Sequence, residues 1–229
     1  MSPRRLAIVV PTLNEEDTVR RNLPAALAVA DEVIVSDGGS ADATVEVAKS
    51  LGARIVTGPP GRGVQLNRGA AAAIEGKADI LIFLHADTTL PPGGAEAVRA
   101  AVDRGAPGGA FFLRFDADLP LQRLGSWLVN RRTRWLRVPL GDQAQWATRE
   151  TFETLGGFPD WPLLEDVDFM GRLRRRPGFT IIEEPVTTGA RRFLELGSVR
   201  TVAINWLIWL LFWSGVSPHR LARLYRQIR

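Results

Sequence analysis

The chain has 229 residues, of which 45% are hydrophobic and 24% charged, so it can build a large core as an ordinary globular protein. It contains no cysteine, which excludes disulfides and thiolate metal sites. The net charge is +4 and nearly all cations are Arg, a side chain suited to phosphates and carboxylates. No nucleic-acid-binding motif accompanies this charge, and we expect no nucleic-acid partner. The apolar run after the basic start is too short for a signal peptide, so we expect a cytoplasmic protein.

The first half of the chain alternates apolar strands with helices. Strands that are continuous in Val, Ile and Leu predict an α/β fold with a mostly parallel sheet covered on both faces. Ligands in such sheets bind beyond the carboxyl ends of the strands. The predicted strands are 6–11, 32–36, 54–57 and 80–84, and the predicted helices are 15–30, 41–51, 64–75 and 94–104. Pro24 inside the first helix predicts a kink or break.

The second half is less regular and ends in an apolar helix. The segment 201–216 carries Trp206, Trp209 and Trp213 on one face but is shorter than the ~20 apolar residues of a membrane span. We expect it to pack on the domain, to lie in a membrane interface or to form a homodimer contact. The predicted boundary separates a domain of residues 1–192 from C-terminal helices in 193–229. The other elements are strands at 109–115, 144–148, 179–182 and 186–189, helices at 119–133, 165–176 and 218–229, and a short helix ending at Gly156.

Polar segments follow each of the first four strands. Asn14 and Glu15 follow the first, and Asp37 with two glycines follows the second. A Gly-rich loop with Arg62 follows the third, and His85-Ala86-Asp87 follows the fourth. Taken singly, each segment also fits a turn or a helix cap. The P-loop spacing and its Lys are missing, which disfavours a P-loop NTPase, and the GxGxxG pattern of dinucleotide folds is absent.

The order of these segments resembles that of family-2 glycosyltransferases of the GT-A fold. The matching residues are VVPTLNEE at 9–16, SDGGSADAT at 36–44, LHADT at 84–88 and, after the GGF at 156–158, LEDVDF at 164–169. With GRGVQLNRGA at 61–70, the chain is most similar to a small bacterial branch of that family. The resemblance covers roughly residues 6–192. It implies a Rossmann-like, mostly parallel sheet with a C-terminal helical appendage.

The resemblance also implies a role for each matching residue. Asp166 would be the catalytic base of an inverting transfer, and Asp87 would bind the metal, Mg²⁺ or Mn²⁺, with the donor diphosphate. Asp37 would hold the base of a nucleotide-sugar donor. The other residues expected in the nucleotide-sugar pocket are Pro11, Asn14, Glu15, Arg62, Asn67, His85 and Glu165.

Two departures from the family pattern qualify this expectation. The first position of the DxD motif is His85, which can hydrogen-bond ribose or bind metal but does not add a carboxylate. The QxxRW signature of processive synthases is absent, which predicts transfer of a single sugar. A nucleotidyltransferase and a non-catalytic nucleotide-sugar-binding domain are the alternatives, and a retaining reaction is compatible with the same fold.

The acceptor is not specified by any motif. Trp and Leu beside a basic C-terminal helix favour a lipid-linked acceptor, such as a polyprenyl phosphate, and a peripheral position on the inner face of the cell membrane. A homodimer contact through the same helix is the competing expectation.

Overall fold

The structure, a computed structural model, describes residues 4–117, 119–190 and 198–228. Side chains are described in these ranges except at 198–203, 205, 206 and 226–228. The predicted domain boundary at 192/193 and the side chain of Trp206 therefore lie outside the described residues. The division into two parts stays a prediction.

Eight strands form one mixed sheet in the order β3-β2-β1-β4-β7-β6-β8-β5. The four strands β3, β2, β1 and β4 are mutually parallel, as the apolar runs predict. Strand β7 pairs antiparallel with both β4 and β6, and β8 pairs parallel with β6 and antiparallel with β5. The bounds are β1 Leu6–Thr12, β2 Glu32–Asp37, β3 Arg54–Thr57, β4 Ile80–Phe83, β5 Thr88–Thr89, β6 Gly108–Phe115, β7 Gln145–Thr148 and β8 Thr180–Thr188.

Helices cover both faces of the sheet, which confirms the predicted α/β class. They are α1 Glu16–Leu27, α2 Thr44–Ser50, α3 Arg62–Glu75, α4 Gly94–Asp103, α5 Pro120–Leu136, α6 Arg149–Leu155, α7 Glu165–Leu173, α8 Ser198–Trp213 and α9 Pro218–Ile228. A short 3₁₀ helix, Gly141–Gln143, precedes β7. Within the described ranges, no helix has both the length and the hydropathy needed to cross a bilayer.

Three predicted elements differ from the structure. Helix α1 is continuous through Pro24, so the predicted break is absent, because a proline removes one backbone hydrogen bond without necessarily ending a helix that is packed on one side. The two strands predicted at 179–182 and 186–189 are one strand, β8, whose register with β6 shifts between Phe111 and Phe112. The irregularity in β8 interrupts the alternation of its side chains, and the sequence pattern therefore divides it in two.

Apolar side chains fill both faces of the sheet. On one face Val19, Leu23 and Val98 pack against the strands, and on the other Leu66, Phe152 and Phe169 do so. The second face holds an aromatic cluster in which the ring centroids of Phe158 and Phe169 are 4.4 Å apart and those of Phe83 and Phe158 are 4.8 Å apart. Phe83 ends β4 and Phe169 belongs to α7. This cluster therefore joins the carboxyl end of β4 to the beginning of α7.

The C-terminal helices pack beside the start of α7. Ile208 of α8 and Leu221 of α9 are buried in a third apolar cluster with Leu164 and Val167. Trp161 and Phe212 also meet edge to face at 6.2 Å. The apolar residues of α8 thus serve in part as ordinary packing.

Candidate active site

The loops after β1 and β2 are joined by hydrogen bonds. The Asn14 side-chain oxygen accepts from the Ala41 N–H at 2.8 Å, and the Asn14 N–H donates to Ser40 Oγ at 2.9 Å. The Glu15 N–H donates to Thr44 Oγ1 at 2.8 Å. Asn14 has φ 55°, in the left-handed region that Asn tolerates better than most residues. Residues 14–15 and 40–44 therefore form one polar unit at the carboxyl ends of the parallel strands.

Asp37 lies at the end of β2 and organises its own loop. Its carboxylate accepts from the Gly39 and Ser40 N–H groups and from the Thr12 and Ser40 hydroxyls. Burial works to raise the pKa of Asp37, but these hydrogen bonds outweigh it and lower the pKa below its usual value. The side chain is 1% exposed, so the present geometry assigns it a role in fixing the loop. Its predicted role toward a nucleotide base stays a prediction.

Gln65 of α3 lies in the GRGVQLNRGA motif and is a positioning residue for which the sequence predicted no role. Its amide nitrogen donates to the carbonyl oxygens of Thr12 at 2.8 Å and Ser36 at 2.9 Å. It is 5% exposed, and a Cβ added to Gly38 would come within 3.1 Å of it. Its presence among the amides of that motif, just after a Gly-rich loop, was the available signal. The side chain ties the start of α3 to the ends of β1 and β2.

Arg62, the first residue of α3, faces the acidic start of α7. Its guanidinium lies 3.4 Å from Glu165 Oε1, an atom that is buried and makes no hydrogen bond. Burial, and then the charge of Asp166, raise the pKa of Glu165 well above its ordinary value, against the opposing effect of Arg62. Arg62 is still 39% exposed through its side chain, whereas Glu165 is enclosed. Arg62 is therefore a cation beside the acidic start of α7 that remains accessible to an anionic ligand.

Asp166 lies in the first turn of α7 and is 8% exposed. Its Oδ2 accepts a hydrogen bond of 2.6 Å from the Gly141 N–H. A Cβ built on Gly141 would lie 3.0 Å from both Asp166 Oδ2 and His85 Nε2. The structure therefore brings His85, at the tip of β4, and Asp166 together around the backbone of Gly141.

Asp142 joins this group, although the sequence motifs did not identify it. It lies in the 3₁₀ helix, and its Oδ1 atom is sealed from solvent without a hydrogen-bond partner, although the residue as a whole is only partly buried. Burial raises the pKa of Asp142 to about 6, and the negative charges of Asp166 and Asp87 add to the effect while Arg132 opposes it. Asp166 is bound to the N–H of the adjacent Gly141, and the charge of Asp87 also acts on Asp142. No helix or strand pattern around 141–143 could have placed it there.

Asp87 follows β4 and is held beside the end of β8. Its carbonyl oxygen accepts from the Gly189 N–H at 3.1 Å, and a Cβ on Gly189 would lie 3.1 Å from Asp87 Oδ2. The Asn22 amide donates to the Ala86 carbonyl oxygen at 2.9 Å and fixes the preceding residue. The predicted metal ligand therefore lies on a loop that is braced from two sides.

Asn67 of α3 is committed to the protein backbone. Its amide nitrogen donates to the Phe158 carbonyl at 2.8 Å, and its oxygen accepts from the Phe158 N–H at 2.9 Å. These bonds hold the turn that precedes α7, so Asn67 positions the loop before the Glu165-Asp166 pair. Its predicted contact with the donor stays a prediction. The same holds for Pro11, which is partly buried in β1 opposite Ser36 of β2.

The described residues contain no group of three or more His, Asp or Glu side chains arranged to hold a metal ion. A cleft of about 650 Å³ lies at the opposite edge of the sheet, between Arg4, Thr148 and Arg176, and includes none of the predicted site residues. Instead, we place the candidate site where side chains from separate segments meet around Gly141 and the start of α7. This group, which we call the acidic cluster, consists of His85, Asp87, Asp142, Glu165 and Asp166.

The family model described as "Glycosyl transferase family 2" matches residues 7–157. The chain belongs to glycosyl transferase family 2. This match confirms the resemblance inferred from the sequence. The matched range includes the loops after β1, β2 and β4 and the 3₁₀ helix, while α7 and the C-terminal helices follow it.

Curated relatives of this family-2 chain are glucosyl-3-phosphoglycerate synthases. Those of Mycobacterium tuberculosis (strain H37Rv) and Mycolicibacterium paratuberculosis are 35% identical over 101 residues. The matched part is 38% of this chain and 30% of each relative, so the chain spans about a third of the length of the curated relatives it matches.

Solved structures show that the fold is GT-A. Glucosyl-3-phosphoglycerate synthase from Mycobacterium tuberculosis, in complex with Mn²⁺, UDP-glucose and phosphoglyceric acid, has a TM-score of 0.59 and 24% identity, covering 81% of this chain and 70% of that one. TarS 1–349 from S. aureus has a TM-score of 0.61 and 15% identity, covering 81% of this chain and 60% of that one. At these identities the likeness establishes the fold and not the substrates.

Proposed function

We propose that this family-2 protein transfers a single sugar from a nucleotide-diphosphate sugar to an acceptor hydroxyl, with inversion at the anomeric carbon. The observation that carries the proposal is the meeting of Asp166, His85, Asp142 and Asp87 beside Arg62 at the carboxyl edge of the sheet. These residues come from four separate parts of the chain. A catalytic base and a site for a diphosphate are the two components that such a transfer requires.

The chemical step assigned to Asp166 is the removal of the acceptor proton. As the acceptor oxygen forms its bond to the anomeric carbon, the bond from that carbon to the diphosphate oxygen breaks, and Asp166 takes the hydroxyl proton. The leaving nucleoside diphosphate keeps the electron pair. The hydrogen bond from Gly141 fixes the orientation of the Asp166 carboxylate, so the base is positioned before the acceptor arrives. A single displacement of this kind inverts the anomeric configuration.

The acidic cluster fits a divalent cation, Mg²⁺ or Mn²⁺. Asp142 Oδ1 is a buried oxygen without a partner, and the nearby carboxylates repel one another, as the raised pKa of Asp142 indicates. Mg²⁺ usually takes one or two protein carboxylates and completes its shell with waters and phosphate oxygens, so three protein ligands are not needed. Asp87 and Asp142 are the residues we assign to hold it. When bound, the cation would neutralise charge on the departing diphosphate.

Arg62 supports the diphosphate from the other side. It stands at the beginning of α3, where backbone N–H groups also favour anions. Burial tends to lower the pKa of this guanidinium, but Glu165, Asp166 and Asp142 outweigh it and raise the pKa, so Arg62 stays cationic. A permanent positive charge at that position suits a ligand whose phosphates carry negative charge.

We propose UDP-glucose as the donor, because one similar protein was solved with UDP-glucose and another with UDP. The similar glucosyl-3-phosphoglycerate synthase was solved with Mn²⁺ and UDP-glucose, and TarS 1–349 with UDP. The polar unit formed by residues 14–15 and 40–44, with Asp37 behind it, is the part of this chain that we assign to the nucleoside. Asn14 belongs to that unit, and Pro11 lies three residues before it in β1.

For the acceptor we propose a lipid-linked hydroxyl compound at the cytoplasmic face of a membrane. Leu210 and Trp213 of α8 are 65% and 62% exposed, and the same helix packs through Ile208 against the residues that flank Asp166. A polyprenyl phosphate fits the role assigned to Asp166 less well than a hydroxyl acceptor does. Its phosphate oxygen is already ionised at neutral pH and needs no base. The competing acceptor is a small phosphorylated hydroxy acid, like the phosphoglyceric acid with which the similar synthase was solved.

A donor screen tests this function directly. Thermal unfolding is measured with nucleoside diphosphates and their sugars, with and without Mn²⁺, and a ligand at a hundredfold excess over its Kd stabilises by about 2.7 kcal/mol. We expect UDP and UDP-glucose to stabilise the protein, and more strongly with Mn²⁺. Release of UDP is then followed with lipid-linked and small phosphorylated acceptors. Stabilisation by no nucleotide would overturn the proposal, and binding without UDP release with any acceptor would favour a non-catalytic binding domain.

A further inference from the structure

Helix α5 has its polar and apolar faces reversed relative to an ordinary surface helix. Its buried residues are Gln122 and Thr133, and Asn130 binds the backbone of β6 through both amide atoms. Its solvent side carries large apolar residues that are 49–71% exposed. We define the α5 stripe as Leu121, Leu124, Trp127, Leu128, Arg131 and Trp135, which recur at three- and four-residue spacing.

Spacing and stacking make the α5 stripe one continuous surface. At about 100° per residue, its six members fall within roughly a third of the helix circumference. The Arg131 guanidinium lies 5.2 Å from the Trp127 ring centroid and 4.8 Å from that of Trp135, so the cation is held between two exposed indoles. An Arg stacked between Trp rings presents charge and apolar area together.

The stripe continues toward α8. Arg132, the neighbour of Arg131, lies 5.3 Å from the Trp209 ring centroid. Trp209 meets Trp213, which is 62% exposed, and Leu210 on the same helix is 65% exposed. A surface that extends over two helices with this much exposed Trp and Leu exceeds the scattered apolar residues of ordinary surfaces.

The three helices of this region contribute positive charge only, although Arg134 is paired with the exposed Glu183 at 2.8 Å and Arg132 faces Asp142 and Asp166. The segments 120–136, 198–213 and 218–228 contain eight Arg and no Asp or Glu, although the whole chain has 25 acidic residues. Helices that lie in the headgroup region of anionic membranes have this composition, which is rich in Trp, Leu and Arg and lacks acidic residues. Self-association would bring two such surfaces together, and the positive charge that is not paired with Glu183 or the acidic cluster disfavours it.

We propose that the α5 stripe, with the exposed end of α8, docks this protein on the surface of an anionic phospholipid bilayer. Arg132 and Arg131 are adjacent on α5, and Arg132 lies close enough to Asp142 and Asp166 to affect electrostatics at the acidic cluster. One helix therefore separates the bilayer from the site. The conclusion that the acceptor is drawn from the membrane rests on the proposed glycosyl transfer, whereas the docking does not.

Vesicle flotation of the full chain tests the docking. The vesicles are pure phosphatidylcholine or phosphatidylcholine mixed with phosphatidylglycerol, and binding is expected only with the anionic lipid and to fall at high salt. The double variant Trp127→Gln/Trp135→Gln removes two exposed rings and should weaken binding roughly tenfold or more. Leu136→Gln is the matched control, because Leu136 is 56% exposed on the same helix but lies about 100° around it from Trp135. That control should float like the wild type.

Two measurements make the outcome decisive. Sedimentation equilibrium of wild type and double variant detects a dimer; a dimer that the double variant abolishes would overturn the proposal in favour of a protein interface. Equal flotation of all three proteins, or flotation of none, would also overturn it. UDP-induced thermal stabilisation is measured on the same samples and should be unchanged in the double variant. Failure of nucleotide binding in the wild type would instead count against the proposed function.

Discussion

The Gly141 N–H donates to Asp166 Oδ2 at 2.6 Å, and the same glycine leaves no room for a side chain between Asp166 and His85. The 3₁₀ helix that carries Gly141 begins after α5 and its C-terminal loop, whereas Asp166 lies in the first turn of α7 and His85 follows β4. Three distant segments thus meet at one backbone position. A glycine at 141 is required by the close approach of two candidate site residues.

Replacing Gly141 by Ala should impair transfer far more than stability. The new Cβ would lie 3.0 Å from both Asp166 Oδ2 and His85 Nε2, so one of them must move by a few tenths of an ångström. Because misplacement of a catalytic group by about 1 Å can cost a hundredfold, we expect kcat to fall about tenfold to a hundredfold. Steady-state kinetics and thermal unfolding measure the two effects.

Gly171→Ala is the matched control for this change. Gly171 lies within α7 itself, and a Cβ there meets nothing within 4 Å. It should raise stability by about 0.5–1 kcal/mol, since Ala favours a helix over Gly, and leave kcat unchanged. Equal kinetic losses in both variants would contradict the role assigned to Gly141.

Asp142→Asn should stabilise the metal-free protein at neutral pH. The pKa of Asp142 is raised from 3.8 to about 6 by burial and by the nearby carboxylates, so the folded state binds more protons than the unfolded state between these values. Wild-type stability therefore falls as the pH rises through this window, and the loss is complete above it. The variant lacks this loss and should be more stable at pH 7 by ~1–3 kcal/mol.

The control for Asp142→Asn is Asp160→Asn, at an exposed position. Urea unfolding in EDTA at about pH 4 and about pH 7 should show the Asp142→Asn gain at the higher pH only and no gain for Asp160→Asn. In the presence of UDP, Asp142→Asn should also reduce the extra thermal stabilisation given by Mn²⁺. A variant that is less stable than wild type at neutral pH would show that the Asp142 charge is not under strain.

Asn67→Ala and Asn130→Ala form a matched pair. Each side chain accepts one backbone N–H and donates to the carbonyl of the same residue, Phe158 for Asn67 and Leu113 for Asn130. Each substitution leaves two backbone groups unpaired and should cost about 1–3 kcal/mol in the free energy of unfolding. Only Asn67 holds the loop before Glu165, so we expect a kinetic loss in Asn67→Ala that Asn130→Ala does not show. Identical kinetics in the two variants would limit Asn67 to a structural role.

The parallel half of the sheet could be predicted well from the sequence, because β1, β2 and β4 are continuous apolar runs buried on both faces. The residues at their tips could be located for the same reason, since parallel strands end at one edge. The role of Asp166 could be predicted only through the family resemblance, because an acidic helix start is by itself an ordinary feature.

The contributions of Asp142, Gly141 and Gln65 could not be predicted in the same way. Asp142 and Gly141 lie in a three-residue 3₁₀ helix, too short to produce any periodic pattern, and Gln65 acts through bonds to backbone carbonyls of distant strands. The exposure of the apolar face of α5 could not be predicted either, because an apolar stripe at helical spacing normally faces the core. The positions of these residues and the orientation of α5 depend on tertiary packing, which the local sequence pattern does not encode.

The most direct test of the proposed mechanism is Asp166→Asn, with donor binding and transfer measured on the same protein. Asn keeps an oxygen that can accept the Gly141 N–H but cannot serve as a base at neutral pH. We expect a donor Kd within about twofold of wild type and a transfer rate lower by about 10²–10⁴-fold, the usual contribution of a general base. Unchanged transfer, or loss of donor binding in place of transfer, would contradict the assignment of Asp166 as the base.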